Sequence, residues 1–165
     1  MRAIFALLLV ATGLAGSLPV AGESPQSTTV IGPANAMLAS GAEALEAGRI
    51  EEGIRMTLEG LRAPSTQRDL AAGYSNLCAG FAILKRWDEA LSHCNKSLEL
   101  DSQNWRTYNN RAAAYTGKGL YDLALTDVQT GLELAPQSRT LRKSLAVVEQ
   151  HKRAHKERGR SSVQG

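Results

Sequence analysis

The sequence predicts an all-α fold, in which three helix-turn-helix repeats stack into a solenoid and one further helix caps the end. Three observations predict it: one segment recurs with a period of 34 residues, apolar residues within each copy are spaced by three and four, and small residues stand where paired helices must cross closely. A period of this length is typical of stacked helical pairs, because one pair cannot bury its apolar face alone.

The repeat is clearest between residues 71–104 and 105–138, which align without a gap. The residues that coincide include Tyr74 with Tyr108, Asn76 with Asn110, Asp88 with Asp122, and Ala90 with Ala124. An earlier copy begins near residue 34. The sequence therefore predicts repeats at 34–70, 71–104 and 105–138, with three extra residues in the loop that closes the first copy.

Each half of a copy has the apolar spacing of an amphipathic helix, as in the stripe Leu77, Phe81 and Leu84. Two short helices can cross closely only through small residues, since bulky side chains hold the axes about 8 to 10 Å apart. The copies supply small residues at matching positions, namely Gly41, Cys78 and Ala112 in the first helix, and Gly53, Ala90, Ala124, Gly60, Ser97 and Gly131 in the second.

Gly117-Lys118-Gly119 looks like a phosphate-binding loop, but it occupies the turn between paired helices. It takes the same slot as Leu84-Lys85-Arg86 and Ala47-Gly48-Arg49 in the other copies. A phosphate loop would need a preceding strand, a longer glycine-rich segment and a Ser or Thr after the lysine. We therefore expect no nucleotide to bind there.

Together these features resemble the tetratricopeptide repeat (TPR) family, in which each 34-residue unit is a helix, a tight turn and a second helix. The resemblance implies a right-handed α-α superhelix whose concave groove is lined by the first helix of every repeat. The first copy departs from the family pattern, because Met37 and Ala44 stand where an aromatic residue is usual. Ser102 also stands where the third copy has the usual Pro136.

The C-terminal part carries the basic charge. Residues 139–157 have the pattern of a capping helix, and the polar residues 158–165 are predicted to be disordered. Residues 139–165 contain eight Lys and Arg against two acidic residues, whereas residues 23–138 contain ten basic and 14 acidic residues. The formal net charge of +3 thus hides a basic C-terminal region on an acidic body.

Residues 1–22 have the pattern of an export signal: Arg2, an apolar run, and the small residues Val20-Ala21-Gly22 of a signal-peptidase site. An uncleaved anchor is the alternative, but polar residues and glycines interrupt a segment that would need about 20 apolar residues. We expect export to a bacterial periplasm or secretion, with residues 23–33 as a flexible lead-in. Export argues against a nucleic-acid partner for the basic region.

The TPR resemblance implies which side chains face the groove. They are Asn35, Leu38, Ala39, Ala42 and Leu45 in the first copy, Ser75, Asn76, Ala79 and Ile83 in the second, Arg106, Asn109, Asn110 and Ala113 in the third, and Lys143 and Thr140 on the cap. The predicted peptide-binding residues are Asn76, Arg106, Asn109, Asn110 and Lys143. Amides can bind any peptide backbone, and a guanidinium can hold a carboxylate by two bonds. Ordinary polar surface is the alternative for all of them.

Some family members clamp a C-terminal carboxylate with Lys and Asn from the first repeat, Asn from the second, and Lys and Arg from the third. Asn76 and Arg106 fit that pattern, whereas Leu38, Ala42 and Asn110 do not. The resemblance therefore favours a general peptide groove over a carboxylate clamp.

Cys78 and Cys94 are the eighth and twenty-fourth residues of their repeat, so they lie opposite each other in an antiparallel helix pair that turns near position 16. In an oxidising compartment they could form a disulfide. The alternative is that both are small core residues.

We expect no metal, no cofactor and no catalytic site. His93 and Cys94 are neighbours that point about 100° apart on a helix, and the His151 and His155 pair lacks a third ligand. The acidic pairs open second helices, where negative charge is favoured. The sequence therefore predicts a non-catalytic adaptor that binds a protein or peptide in its groove. The alternative is an assembly factor whose basic C-terminal helix and tail dock on an acidic partner or, more weakly, a membrane surface.

Overall fold

A computed structural model describes residues 35–161. The predicted export signal, the lead-in and residues 162–165 of the tail lie outside this range. Within it the chain forms α-helices and no strand, which confirms the predicted all-α class. The helices are α1 (Ala36–Glu46), α2 (Ile50–Gly60), α3 (Gln67–Ile83), α4 (Trp87–Leu100), α5 (Trp105–Gly117), α6 (Tyr121–Leu134) and α7 (Arg139–Ser161).

The helices form three antiparallel pairs that stack into a solenoid. α1 packs on α2, α3 on α4 and α5 on α6, and each pair then contacts the next through α2 and α3, α4 and α5, and α6 and α7. The first helices also lie side by side, from α1 through α3 and α5 to α7. α7 thus takes the place of the first helix of a fourth repeat and caps the third pair.

The two helices of each pair meet at the eighth and twenty-fourth positions of the repeat. The pairs at this point are Gly41 with Thr57, Cys78 with Cys94, and Ala112 with Val128. A Cβ added to Gly41 would lie 2.4 Å from Thr57 Oγ1, so the first pair tolerates no side chain there. The predicted role of small residues at the helix crossing is therefore met in each repeat.

The three turns have the same geometry. In each, the residue after the helix cap has a positive φ: 77° at Gly48, 59° at Lys85 and 75° at Gly119. The next N–H donates to a carbonyl five residues earlier at 2.9 Å in every turn, which closes the preceding helix. The turn in the third repeat is therefore residues 118–120. The turn predicted from the sequence, Gly117-Lys118-Gly119, begins one residue too early, because Gly117 is still the last residue of α5.

Two predicted boundaries differ from the structure. α3 begins at Gln67 rather than at residue 71, because Thr66 and Asp69 form a capping box that extends the helix into the extra residues of the loop. α7 runs to Ser161, four residues beyond the predicted end of the capping helix at 157.

We predict that Lys85→Gly raises the free energy of unfolding by about 0.5–1 kcal/mol. Lys85 is the non-glycine residue of the described range with a positive φ, a conformation that strains an L side chain. The same change at Lys96, inside α4, should lower the free energy of unfolding by about 1 kcal/mol. Urea titrations of both variants measure the two effects, and a destabilised Lys85→Gly protein contradicts the strain argument.

Candidate binding groove

The first helices of the repeats line a groove of about 220 Å³. It brings together four of the five predicted peptide-binding residues, namely Asn76, Arg106, Asn109 and Asn110. The fifth, Lys143, lies instead at a second cavity between α5 and α7. The predicted row of polar groups is therefore divided between two neighbouring cavities.

The groove asparagines also hold adjacent repeats together. Asn76 Nδ2 donates to the carbonyl of Leu38 at 3.2 Å, and Asn110 Nδ2 donates to the carbonyl of Ser75 at 3.4 Å. These are equivalent contacts, from the sixth position of one repeat to the fifth of the repeat before it. Each uses one N–H, and an amide has a second N–H and an oxygen with which to bind a ligand.

At the cap the same two repeat positions are joined through side chains only. Ser144 Oγ, at the sixth position counted from the start of α7, donates to Asn109 Oδ1 at 2.6 Å. The amide oxygen of Asn109 is thus engaged by the capping helix. The N–H groups of Asn109 and the second lone pair of this oxygen can still bind a ligand.

Arg106 is the cationic group of the groove. Its guanidinium lies 4.6 Å from the centre of the Trp105 ring, which restricts its orientation. Burial lowers the pKa of Arg106 from its ordinary value, and the nearby carboxylate of Glu46 acts in the opposite direction. Because arginine stays charged, a partly desolvated guanidinium interacts strongly with any anion that reaches it.

Aliphatic side chains of α1 and α3 form one wall of the groove: Ala42, Leu45, Ala79 and Ile83. Ile83 is 55% exposed, although it is a large apolar residue. The groove therefore presents an apolar wall next to amides and one charged pair, a combination that suits a peptide segment with at least one apolar side chain.

Two residues predicted for the groove are instead buried. Leu38 is a core residue that packs against the backbone of Gly60, and Asn35 caps α1 and donates to the carbonyl of Gly60 at 2.7 Å. Both lie at the edge of the first repeat, where the following pair covers them. Conversely, Glu46 and Trp105 line the groove but were not predicted. Glu46 occupies the thirteenth position of its copy, a groove position in the family, so the pattern could have indicated it.

Cys78 and Cys94 are joined in a disulfide, with their Cα atoms 5.1 Å apart. Both are fully buried at the crossing of α3 and α4. The bond therefore lies in the middle repeat, at the point where the other two repeats use noncovalent small-residue contacts.

The histidines and acids of the described range form no group of three or more potential metal ligands. His93 stacks between two aromatic rings instead, with centroid distances of 6.0 Å to Tyr74 and 5.3 Å to Phe81. His155 contacts the Tyr121 ring at 5.5 Å. Among residues 35–161, no helix has both the length and the hydropathy needed to cross a membrane.

No protein-family model matches the chain. Curated relatives do match, among them two proteins of Mus musculus. Sperm-associated antigen 1 of Mus musculus is 32% identical over 116 residues, which are 70% of this chain and 12% of that protein. The peptidyl-prolyl cis-trans isomerase FKBP4 of Mus musculus is 35% identical over 82 residues, which are 50% of this chain and 18% of that protein. The chain therefore matches a short part of each relative.

The solved structure of the first TPR domain of Spaghetti (RPAP3) bound to the HSP90 peptide SRMEEVD has the same fold. It superposes with a TM-score of 0.60 at 22% identity, and the match covers 70% of this chain and 89% of that one. This likeness confirms the predicted TPR solenoid.

Replacing Cys78 by Ala and Cys94 by Val copies the pair of the third repeat, and so removes the disulfide while keeping a small-residue crossing. We predict a loss of about 3 kcal/mol in the free energy of unfolding relative to the oxidised protein. Intact-mass measurement should also show a gain of two hydrogens when the wild-type protein is reduced. Wild-type stability that does not respond to reductant contradicts the prediction.

A second prediction concerns pH. Burial between two rings lowers the pKa of His93 below its ordinary value of 6.5, nearby Lys96 lowers it further, and Glu89 opposes them. Arg86 lies over the Phe81 face, 4.6 Å from its centre. As the pH falls below 6.5, His93 therefore takes up a proton in the unfolded chain before it does so in the folded protein. The free energy of unfolding decreases until the pH falls below the folded pKa of His93.

The measurement compares urea unfolding at pH 7.5 and pH 5.5, conditions on either side of the ordinary histidine pKa (about 6.5). His93→Gln should reduce the loss of stability between the two pH values, while His151→Gln, on exposed α7, serves as the matched control and should not. Equal pH dependence in wild-type and His93→Gln proteins would rule out this role of His93.

Proposed function

Because the chain has the tetratricopeptide-repeat fold, we propose that it is a non-catalytic interaction protein that binds a segment of another protein in its concave groove. The observation that carries the proposal is the groove itself, where amides of two repeats and a stacked arginine border an exposed apolar wall. A peptide bound in the same fold of Spaghetti (RPAP3) supports a peptide as the ligand class.

The side chains of the groove favour an internal peptide segment over a C-terminal carboxylate as the ligand. Leu38, at one position where clamp proteins have a polar residue, is buried in the core, and Ala42 at another carries no polar group. Arg106 shares the groove with the carboxylate of Glu46, so an anion that binds Arg106 also approaches a like charge. We propose an internal segment with an apolar side chain against Leu45 and Ile83, whose backbone is held by the asparagine amides.

We also propose that the protein is exported, to a periplasm or out of the cell. The pattern of residues 1–22 supports this, and a buried disulfide at Cys78 and Cys94 is compatible with an oxidising compartment. Nucleotides and nucleic acid are not expected as partners.

The test places a photo-crosslinking amino acid at Ile83 in the groove, and at Leu123 on α6 as a matched control. Both residues are large, apolar and about half exposed, but Leu123 does not line the groove. In the native compartment, Ile83 should capture a defined partner, while Leu123 should not. Capture of the same partner at both positions would show that the groove is not the binding surface.

The double variant Asn76→Ala with Arg106→Ala should reduce capture at Ile83 by at least about tenfold, the equivalent of one or two hydrogen bonds with a charged group. Arg55→Ala is the control, because it removes an exposed arginine from α2, away from the groove. If the double variant keeps its partner while deletion of residues 151–165 removes it, the alternative is correct and the protein docks through its basic C-terminal helix and tail. Salt separates the two binding modes further. About 1 M salt shortens the Debye length to about 3 Å, so docking through the basic tail should be lost, whereas binding in the groove should be only partly weakened.

A further inference from the structure

The second cavity lies between α5 and the capping helix and has a volume of about 430 Å³. We call it the cap pocket; its main lining residues are Trp87, Ala113, Gly117, Lys143, Val147 and His151. It lies beyond the groove along the same row of first helices, and no residue lines both. The cap pocket therefore adjoins the groove, and the Ser144–Asn109 hydrogen bond lies where the two cavities meet.

The wall of the cap pocket is apolar and fixed. The Trp87 ring packs on the end of α5, where a Cβ added to Gly117 would lie 2.5 Å from the ring. On the opposite side, Val148 is buried in the core below α7 while Val147, its neighbour, is 47% exposed at the cavity. An exposed valine and an indole that line the same open cavity indicate room for one large apolar side chain.

The rim of the cap pocket carries one cationic side chain on a basic helix. Lys143 lines it, and His151 beside it can donate a hydrogen bond, whereas Arg158 lies outside the lining, seven residues after His151 on the same stripe of α7. No acidic residue is among the residues of 35–161 that line the cavity.

Two carboxylates of α6 and α7 are paired with cations outside the lining of the cap pocket. Asp122 accepts from Lys152 at 2.5 Å, and Glu149 pairs with Arg153 at 3.8 Å. α7 as a whole carries eight basic and two acidic residues. The positive potential at the rim is therefore not neutralised by these acids, and it is complementary to a negative ligand.

We propose that the cap pocket docks an acidic protein segment, with one large apolar side chain inserted between Trp87 and Val147 and flanking carboxylates held by Lys143 and His151. A protein segment is favoured over nucleic acid because Lys143 is the one Lys or Arg among the described residues that line the cavity, whereas nucleic-acid binding rests on many phosphate contacts. A membrane surface is disfavoured, because a helix that lies on a membrane needs an apolar face. Residues 152–160 of α7 contain one apolar side chain, that of Ala154. The proposal stands apart from the peptide groove of the three repeats.

The test measures binding of a fluorescein-labelled 12-residue synthetic peptide to the full chain by fluorescence anisotropy. The probe has one central leucine flanked by glutamates, and its C-terminus is amidated so that no terminal carboxylate contributes. Replacing the leucine by serine should weaken binding by at least about tenfold, as expected when a buried leucine is lost. Replacing the glutamates by lysines should abolish it.

Two variants and two controls locate the site. Val147→Glu and Lys143→Glu should each lower the affinity for the leucine peptide by at least about tenfold. Leu123→Glu is the control for Val147→Glu, because it also replaces an exposed apolar residue. Arg55→Glu is the control for Lys143→Glu, because it also reverses an exposed positive charge. Both lie outside the cap pocket and should leave binding unchanged. Loss of binding in the Asn76→Ala variant, with Val147→Glu and Lys143→Glu binding normally, would place the probe in the groove instead.

Three outcomes overturn the proposal: equal binding of the leucine and serine peptides, full binding by Val147→Glu with its circular dichroism intact, or a single-stranded DNA 12-mer or anionic phosphatidylserine vesicle that binds more tightly than the peptide and ignores Val147→Glu. The last result would assign α7 to a purely electrostatic surface. Sensitivity to Val147, Lys143 and the leucine together supports the proposal.

Discussion

The close crossing of the two helices in each repeat is the constraint on which the rest of the structure depends. The residues at this crossing are no larger than valine or threonine and are buried, and the first repeat needs a glycine against Thr57. Because the crossing fixes how each pair is arranged, it also fixes how the next pair stacks and where the first helices lie. The groove and the cap pocket are consequences of this stacking, since both are lined mainly by first helices.

The fold could be predicted from the sequence because the same pattern occurs in three copies, and each copy can be checked against the other two. Apolar spacing, small residues and turns recur at the same positions, so an error in one copy is visible against the other two. The site was predicted less completely. Position within a repeat indicates which way a side chain points, and it correctly placed Asn76, Arg106 and Asn110 in the groove.

Position alone does not show what covers a residue at the end of the array. Leu38 and Asn35 stand at groove positions, but the backbone of the second helix and the following pair bury them. Lys143 is at an equivalent position on α7, and yet it belongs to another cavity because the groove is interrupted between α5 and the cap. These outcomes depend on tertiary packing, which a repeat pattern does not contain. The asparagines show the same limit, because their amides tie neighbouring repeats together as well as facing a ligand.

The disulfide at the central crossing has a mechanical consequence. If the chain were pulled from its ends, the outer helices could straighten, but the segment between Cys78 and Cys94, separated by 16 residues, would be withheld from extension. At about 3.3 to 3.6 Å per residue this hides roughly 50 to 60 Å of contour length while the bond is intact. A tether built from this chain would therefore lengthen further only after a reductant had reached its middle.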